Sequence, residues 1–447
     1  MFSKTIFIYG GTIQCPSKLP LPIYDFAAYD LWAKPLGLLY LSSILKQHNI
    51  NIQFFDYMDR NYPNIHKQKS NKYGCGHYIK QDIEKPKVIS NIKRNYHRFG
   101  IPENIAEEFF KNIEKPDIII IGSIMTYWYL GVIEASTLLK KVFPDVPIIL
   151  SGIYATLCNE HAKKIKTIDD VVIGSFDNLT PVFNKYNINA ELNSNFERFP
   201  IPDYSFYKNK EYIVLKTSIG CPFKCNYCAQ YILNNNTYTI KNPLIIKDEI
   251  YKLAGEEIQN IAFYDDALIF NSDKLIKVLL KEIQKDNKKF NFHTPNGLHA
   301  RFLDQELAEL MFNAKFIQPR FSLETSNSQE QKNSNNKVSN SEYERTIKYL
   351  NSAGYGKGDY ITYLLIGMPG QNIENIRESI KYVHDWGSRI SLSEYSPIPY
   401  TKDWQTLSPE LKQDPLTQNN TYFMTLNKDY DKLIELKEFA KTLNKQL

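Results

Sequence analysis

Apolar and polar positions along this chain alternate in two successive strand-then-helix rhythms. The first opens with a strand-like run, Thr5–Tyr9, followed by a helical stretch at Leu36–Gln47 and a strand at Asn51–Phe55. Residues 60–115 interrupt the rhythm with Asn, Lys, Pro and Tyr, and read as an insertion. It resumes with Asp117–Gly122, Val146–Gly152 and Asp170–Gly174, and a helix is expected over Gly131–Val142. Continuous apolar runs of strand length predict parallel strands buried on both faces. Alternation with helices predicts a doubly wound parallel sheet over residues 1–190. Ligands of such sheets lie beyond the carboxyl ends of the strands. That draws attention to the loops Gly10–Cys15, Ser123–Tyr129, Gly152–Cys158 and Gly174–Asp177.

An Asn-rich linker ending at Pro200 and Pro202 leads to the second rhythm, over 203–400. Strands are expected at Ile213–Ser218, Ile261–Tyr264, Phe290–Thr294, Ile317–Leu323, Tyr360–Ile366 and Ile390–Tyr395. Six strand–helix units predict a partial (β/α)6 barrel with its chemistry at the C-terminal strand ends. The Ser/Asn/Gln/Lys-rich stretch Ser326–Ser341 reads as a mobile loop. Residues 401–447 form a helical extension, with Leu433, Leu436, Phe439 and Leu443 on one face.

Composition adds exclusions. A 43% hydrophobic and 13% aromatic content marks folded globular domains and not a disordered chain. With 54 Lys and Arg against 49 Asp and Glu, the net charge is only +5 over 447 residues. That weighs against nucleic acid as a partner. No apolar run approaches the roughly 18 residues of a membrane span. The first residues read as a strand and not as a signal peptide, so a cytoplasmic location is expected.

The sharpest signal is Gly220-Cys-Pro-Phe-Lys-Cys-Asn-Tyr-Cys228, directly after an expected strand. Three thiolates on one tight loop can hold three irons of a four-iron four-sulfur cluster. With no fourth Cys nearby, one iron is left to a non-protein ligand, and an open position marks a catalytic centre. A zinc knuckle is the rival reading, but no fourth ligand follows before His293.

Cys221, Cys225 and Cys228, with Tyr227 before the last, resemble the radical SAM superfamily. The likeness continues through Tyr264-Asp265-Asp266, Asn296, Arg320 and Glu324, Gly367-Met-Pro369-Gly, and Ser396, each at or near a strand's C-terminal end. The resemblance implies that these residues bind S-adenosylmethionine (SAM), with backbone of 264–266 and 367–370 on the methionine and Glu324 on a ribose hydroxyl or the amine. It implies a 5′-deoxyadenosyl radical, oxygen sensitivity and an electron donor such as flavodoxin or ferredoxin.

The first zone resembles the cobalamin-binding domain fused to many such enzymes. Ser123, Met125, Thr126, Tyr127, Gly152, Ile153, Tyr154, Ala155 and Gly174 are the cobalamin contacts it implies. The Asp-x-His-x-x-Gly motif for a lower axial His is absent. Tyr127 and its aromatic neighbours have two readings, a press on the corrin or an apolar lid. The expected reaction is methyl transfer to an unactivated carbon of a small molecule or peptide. Radical rearrangement or cyclisation is the alternative. So is sulfur insertion, as in methylthiotransferases, from an auxiliary cluster at Cys15, Cys75 and Cys158.

Overall fold

The computed structural model describes residues 5–10 as backbone, and 21–30 and 32–447 in full. Cys15 lies outside the described residues. The chain divides into two units, one of residues 1–214 with 408–418, the other of 215–407 with 419–447. The expected extension is thus shared between them.

In the first unit, five parallel strands form one sheet. Its spatial order is Asn51–Phe55, Thr5–Gly10, Ile118–Ser123, Ile148–Gly152 and Asp170–Val171. Numbered along the chain this is 2-1-3-4-5, a doubly wound sheet whose direction of winding reverses between its first and third strands. Ile118–Ser123 is buried throughout, because its four isoleucines face helices on both sides. The interruption expected at 60–115 contributes to a separate antiparallel sheet of Ile23–Asp25, Tyr96–Phe99 and Lys80–Ile83. Its apolar side chains Ile23, Met58, Tyr78 and Phe99 form one core with Ile124, Tyr127 and Trp128.

The second unit carries the barrel strands. Tyr212–Leu215, on which the chain passes from one unit to the other, belongs to a sheet with Asn260–Phe263 and Asn291–His293. Leu298–His299, Arg320–Glu324, Ile361–Ile366 and Arg389–Glu394 form a second, parallel sheet. A parallel bridge between Phe292 and Phe316 links the two. Six of these strands match the expected ones to within a few residues, and Leu298–His299 is additional. The expected strand Ile213–Ser218 breaks in two. Its end, Ser218–Gly220, turns into an antiparallel hairpin with Tyr238–Ile240. Helices Asn420–Thr425 and Tyr430–Asn444 follow the last strand.

The segment read as a mobile loop is ordered. Asn327 caps a short helix, Ser328–Asn333, and Ser339 opens Asn340–Ala353 with a capping box. Gln331 ties the two by donating to the Thr325 carbonyl and to Asn340, both at 2.8 Å. Polar side chains that look like loop composition here serve as caps.

Candidate metal centre

The hairpin delivers the cysteines. At Gly220 φ is +89°, and a Cβ would lie 1.9 Å from the Thr237 carbonyl oxygen. Only glycine permits that approach. Cys221 follows at once, and the Cys228 amide donates to the Cys225 carbonyl at 3.1 Å to close the turn. The three thiols influence one another's ionisation, so they share one neighbourhood. Burial pushes Cys221 up to about 11 and Cys228 up to about 12, and raises Cys225. Three such thiols ionise together only against a strong positive partner, as iron would be. Among the described residues, no three His, Cys, Asp or Glu side chains converge as ligands of one ion. A cluster asks for a different arrangement, one thiolate per iron. The donor set fits it.

A cation faces all three thiols. Lys337 opposes the rise of each. Its ammonium donates to Glu324 Oε1 at 2.6 Å, and the Tyr227 hydroxyl donates to the same oxygen. Glu324 has φ +72°, after a register shift in its strand. A non-glycine residue held there stores strain, a frequent mark of functional positions. The stretch after Asn333 clamps the cysteine loop. Asn226 donates to the Asn333 carbonyl at 2.6 Å, and Asn335 donates to the Lys224 carbonyl at 2.5 Å. Phe223, inside the loop, stacks on His299 at 4.9 Å. Burial holds His299 well below the ordinary imidazole range, so it is neutral, and His293 is lowered to about 3.

Both aspartates of the Tyr264-Asp265-Asp266 motif are buried, and their carboxylates point back to the strand before the cysteines. Asp265 accepts from the amide and hydroxyl of Thr217 and of Ser218. Asp266 accepts from the Gly220 amide at 3.2 Å and from Lys216 at 3.4 Å. Asn296 donates to the carbonyls of Tyr264 and Asp265 at 3.0 and 3.2 Å. Arg320 donates to the Tyr363 hydroxyl at 2.8 Å. Gly367 and Pro369 line a cavity of about 950 Å³ with Leu407, Phe423 and Arg377, and no cysteine lines it. Ser396 is half-buried just past the sixth strand. Tyr227 and Glu324 thus gather at the cysteines with Lys337, which sequence reasoning missed. Nothing in a run of Asn, Ser and Lys singles it out.

In the first unit, Ser123 ends the third strand beside the point where the winding reverses. Its hydroxyl is buried without a partner among the described residues. Gly152 lies opposite it in register. There φ is +93°, and a Cβ would meet the Ser123 carbonyl oxygen at 2.6 Å. Thr156 donates to the Gly152 carbonyl at 2.8 Å and accepts from the Gly174 amide at 3.0 Å. An orphaned hydroxyl beside a glycine edge suits a polar group laid across the strand ends, as cobalamin would be. Met125 and Ile153 are half-buried against the neighbouring apolar core, and Thr126 is buried. Other expected contacts face inward. Tyr127 is part of that core, which favours the apolar-lid reading. Tyr154 hydrogen bonds His161 Nδ1 at 2.7 Å, and Ala155 is fully buried. Cys158 contacts Gln418 at 3.7 Å, and Cys75 is buried.

Residues 215–383 match the Radical SAM superfamily. The chain is 21% identical over 343 residues to the anaerobic magnesium-protoporphyrin IX monomethyl ester cyclase of Rubrivivax gelatinosus, covering 67% of this chain and 60% of that protein. It is 21% identical over 396 residues to an uncharacterized methyltransferase of Pyrococcus horikoshii, covering 79% and 83%. Its fold is similar to that of the radical SAM methyltransferase TsrM from Kitasatospora setae, solved with cobalamin and a 4Fe-4S cluster bound. There the TM-score is 0.63 at 13% identity, over 94% of this chain and 82% of that one. It is also similar to the cobalamin-dependent radical enzyme OxsB, solved with aqua-cobalamin and SAM bound. The TM-score is 0.58 at 13% identity, over 98% and 56%. The chain therefore spans 60% of the cyclase's length and 56% of OxsB's. These findings define the class of the second unit: residues 215–383 form a radical SAM domain. Such a domain implies a four-iron four-sulfur cluster and SAM. Among the described residues, no helix is long and apolar enough to cross a membrane.

Proposed function

We propose that this enzyme transfers a methyl group to an unactivated carbon of a small molecule or peptide, with cobalamin in its first unit. The observation that carries the reading is the buried Ser123 hydroxyl, without a partner among the described residues, at the reversal point of the doubly wound sheet, in a chain that also holds the three-thiol loop. When bound, the cluster supplies the electron that breaks a carbon–sulfur bond of SAM, and cobalamin supplies the methyl group.

The chain's own residues do the rest. Cys221, Cys225 and Cys228 each take one iron and leave the fourth to SAM. Lys337 offers the cation for the SAM carboxylate, and Glu324 with Tyr227 orients it. Tyr264 and Asp265 present backbone carbonyls to the amino group, with Asn296 fixing their direction. Gly367 and Pro369 leave the backbone open to the nucleoside, and the clamp at Asn333–Lys337 keeps water from the cysteine loop. Ser123, Gly152, Thr156 and Gly174 form the edge that takes cobalamin. A one-electron donor of the flavodoxin or ferredoxin type completes the cycle.

Anaerobic purification with cobalamin supplied tests this. About four irons and one corrin per chain are expected. Equal yields of 5′-deoxyadenosine and S-adenosylhomocysteine per methylated product are expected too. 5′-Deoxyadenosine without S-adenosylhomocysteine would instead favour radical cyclisation, the reading supported by similarity to the Rubrivivax gelatinosus cyclase.

A further inference from the structure

We propose that Asp265 and Asp266 are a two-carboxylate brace on the strand entering the cysteine loop, and that the Lys216–Asp266 pair sets the cluster's reduction potential through the charge it places beside Cys221. This rests on the cluster reading above.

The geometry separates the two carboxylates by task. Asp265 receives both amides and both hydroxyls of Thr217 and Ser218, at 2.6 Å from each hydroxyl, 2.5 Å from the Ser218 amide and 3.0 Å from the Thr217 amide. This carboxylate directs every one of these contacts at Thr217 and Ser218, with four donors on Oδ1 and the Thr217 amide shared with Oδ2 at 3.1 Å. It is a backbone fastener, and it fixes where the hairpin starts. Asp266 is one step closer to the metal centre. Its Oδ2 takes the amide of Gly220, the residue before Cys221. Its Oδ1 is buried with no hydrogen-bond partner among the described residues. A half-satisfied buried carboxylate is costly and calls for an explanation.

Charge supplies one. Lys216 and Asp266 have side chains only 3% and 1% exposed, and their charged atoms stand 3.4 Å apart. Asp266 holds the amide of Gly220, the residue bonded to Cys221, at 3.2 Å, while the Lys337 ammonium is paired with Glu324 at 2.6 Å. Reducing the cluster adds one negative charge. A fixed carboxylate beside one thiolate disfavours that electron, and a fixed ammonium favours it. In a dry site neither is screened by water. The pair therefore biases the cluster towards low potential, and Lys216 limits how far.

The test uses reconstituted full-length protein and reads the cluster potential by electron paramagnetic resonance during a redox titration, together with iron content. Asp266→Asn keeps an acceptor for the Gly220 amide and removes the charge. Its potential should move to a less negative value with iron content retained. Lys216→Met leaves Asp266 uncompensated and should move the potential the other way. Lys216→Arg keeps the charge and should leave it in place, which serves where Lys216→Met fails to fold. Asp266→Ala loses brace and charge together and should bind the cluster about 10-fold more weakly. Potentials that stay at the wild-type value in Asp266→Asn, or that move the same way in Asp266→Asn and Lys216→Met, overturn the proposal alone. A wild-type protein that assembles no cluster overturns the cluster reading with it.

Discussion

Lys337 and Glu324 meet at 2.6 Å beside the three cysteine thiols, one from a Ser/Asn-rich connection and the other from a strained strand end. The pair joins the strand Arg320–Glu324 to the segment that clamps the cysteine loop. Lys337→Met removes the cation offered to the SAM carboxylate. A charge-assisted bond of this kind contributes about 1.5–3 kcal/mol, so the SAM dissociation constant should rise roughly 10- to 100-fold. Calorimetric titration of SAM into the reconstituted protein reads this directly. An unchanged affinity would remove Lys337 from the SAM site.

The cysteines make a second prediction. Cys221→Ala, Cys225→Ala and Cys228→Ala each delete one iron ligand from a loop whose backbone is held by Asp265, Asp266 and Asn335. SAM cleavage should vanish while circular dichroism stays that of the wild type. Full 5′-deoxyadenosine production by any of the three would refute the cluster assignment.

For cobalamin, Ser123 is the sharper probe. Its hydroxyl is buried and unpartnered among the described residues, and such a group costs about 1–3 kcal/mol. Ser123→Ala should hold or raise the melting temperature of the ligand-free protein and lower corrin content after reconstitution. Gly152 serves less well. Any Cβ there meets a backbone oxygen, so Gly152→Ala should cost about 1–3 kcal/mol with or without corrin.

Asp56 makes stability depend on pH. It follows the second strand of the first sheet and accepts from the Tyr207 hydroxyl at 2.6 Å and the Met58 amide at 2.8 Å. Burial is the main cause of its rise from 3.8 to about 7, with Asp59 adding and Lys34 opposing. The folded protein therefore holds this proton more tightly than the unfolded chain. The stabilisation is full below about pH 4 and is lost as pH rises through about 7, a change of about 4 kcal/mol. Denaturant titrations at pH 5 and 8 should show the fall in wild type. Asp56→Asn should flatten it.

The three-cysteine loop and the alternating strands were legible in the sequence because both are local. A Cys-x3-Cys-x2-Cys spacing and a run such as Asp-Ile-Ile-Ile-Ile-Gly carry their meaning within a few residues. Lys337 was not legible, because its role depends on a helix and a capping box that bring it back to residue 324. The aspartate pair was read as a cofactor contact, and only the fold shows its carboxylates turned towards Thr217–Gly220. Tyr127 and Tyr154 are expected as cobalamin contacts from their places after strands of the first sheet. The strands contributed around the insertion supply Tyr127 with a core, and His161 supplies Tyr154 with a partner.

Residues 408–418 belong to the first unit although their flanks belong to the second. Asp414 accepts from the Tyr129 hydroxyl at 3.2 Å, and Gln418 lies against Cys158. The first unit is therefore incomplete until residue 418 has been translated. Domains made N-terminal first usually finish folding on the ribosome. Here a nascent chain released early, or a truncation at residue 214, would present Tyr129 and Cys158 uncovered, and separately expressed halves would be poor substitutes for the intact enzyme.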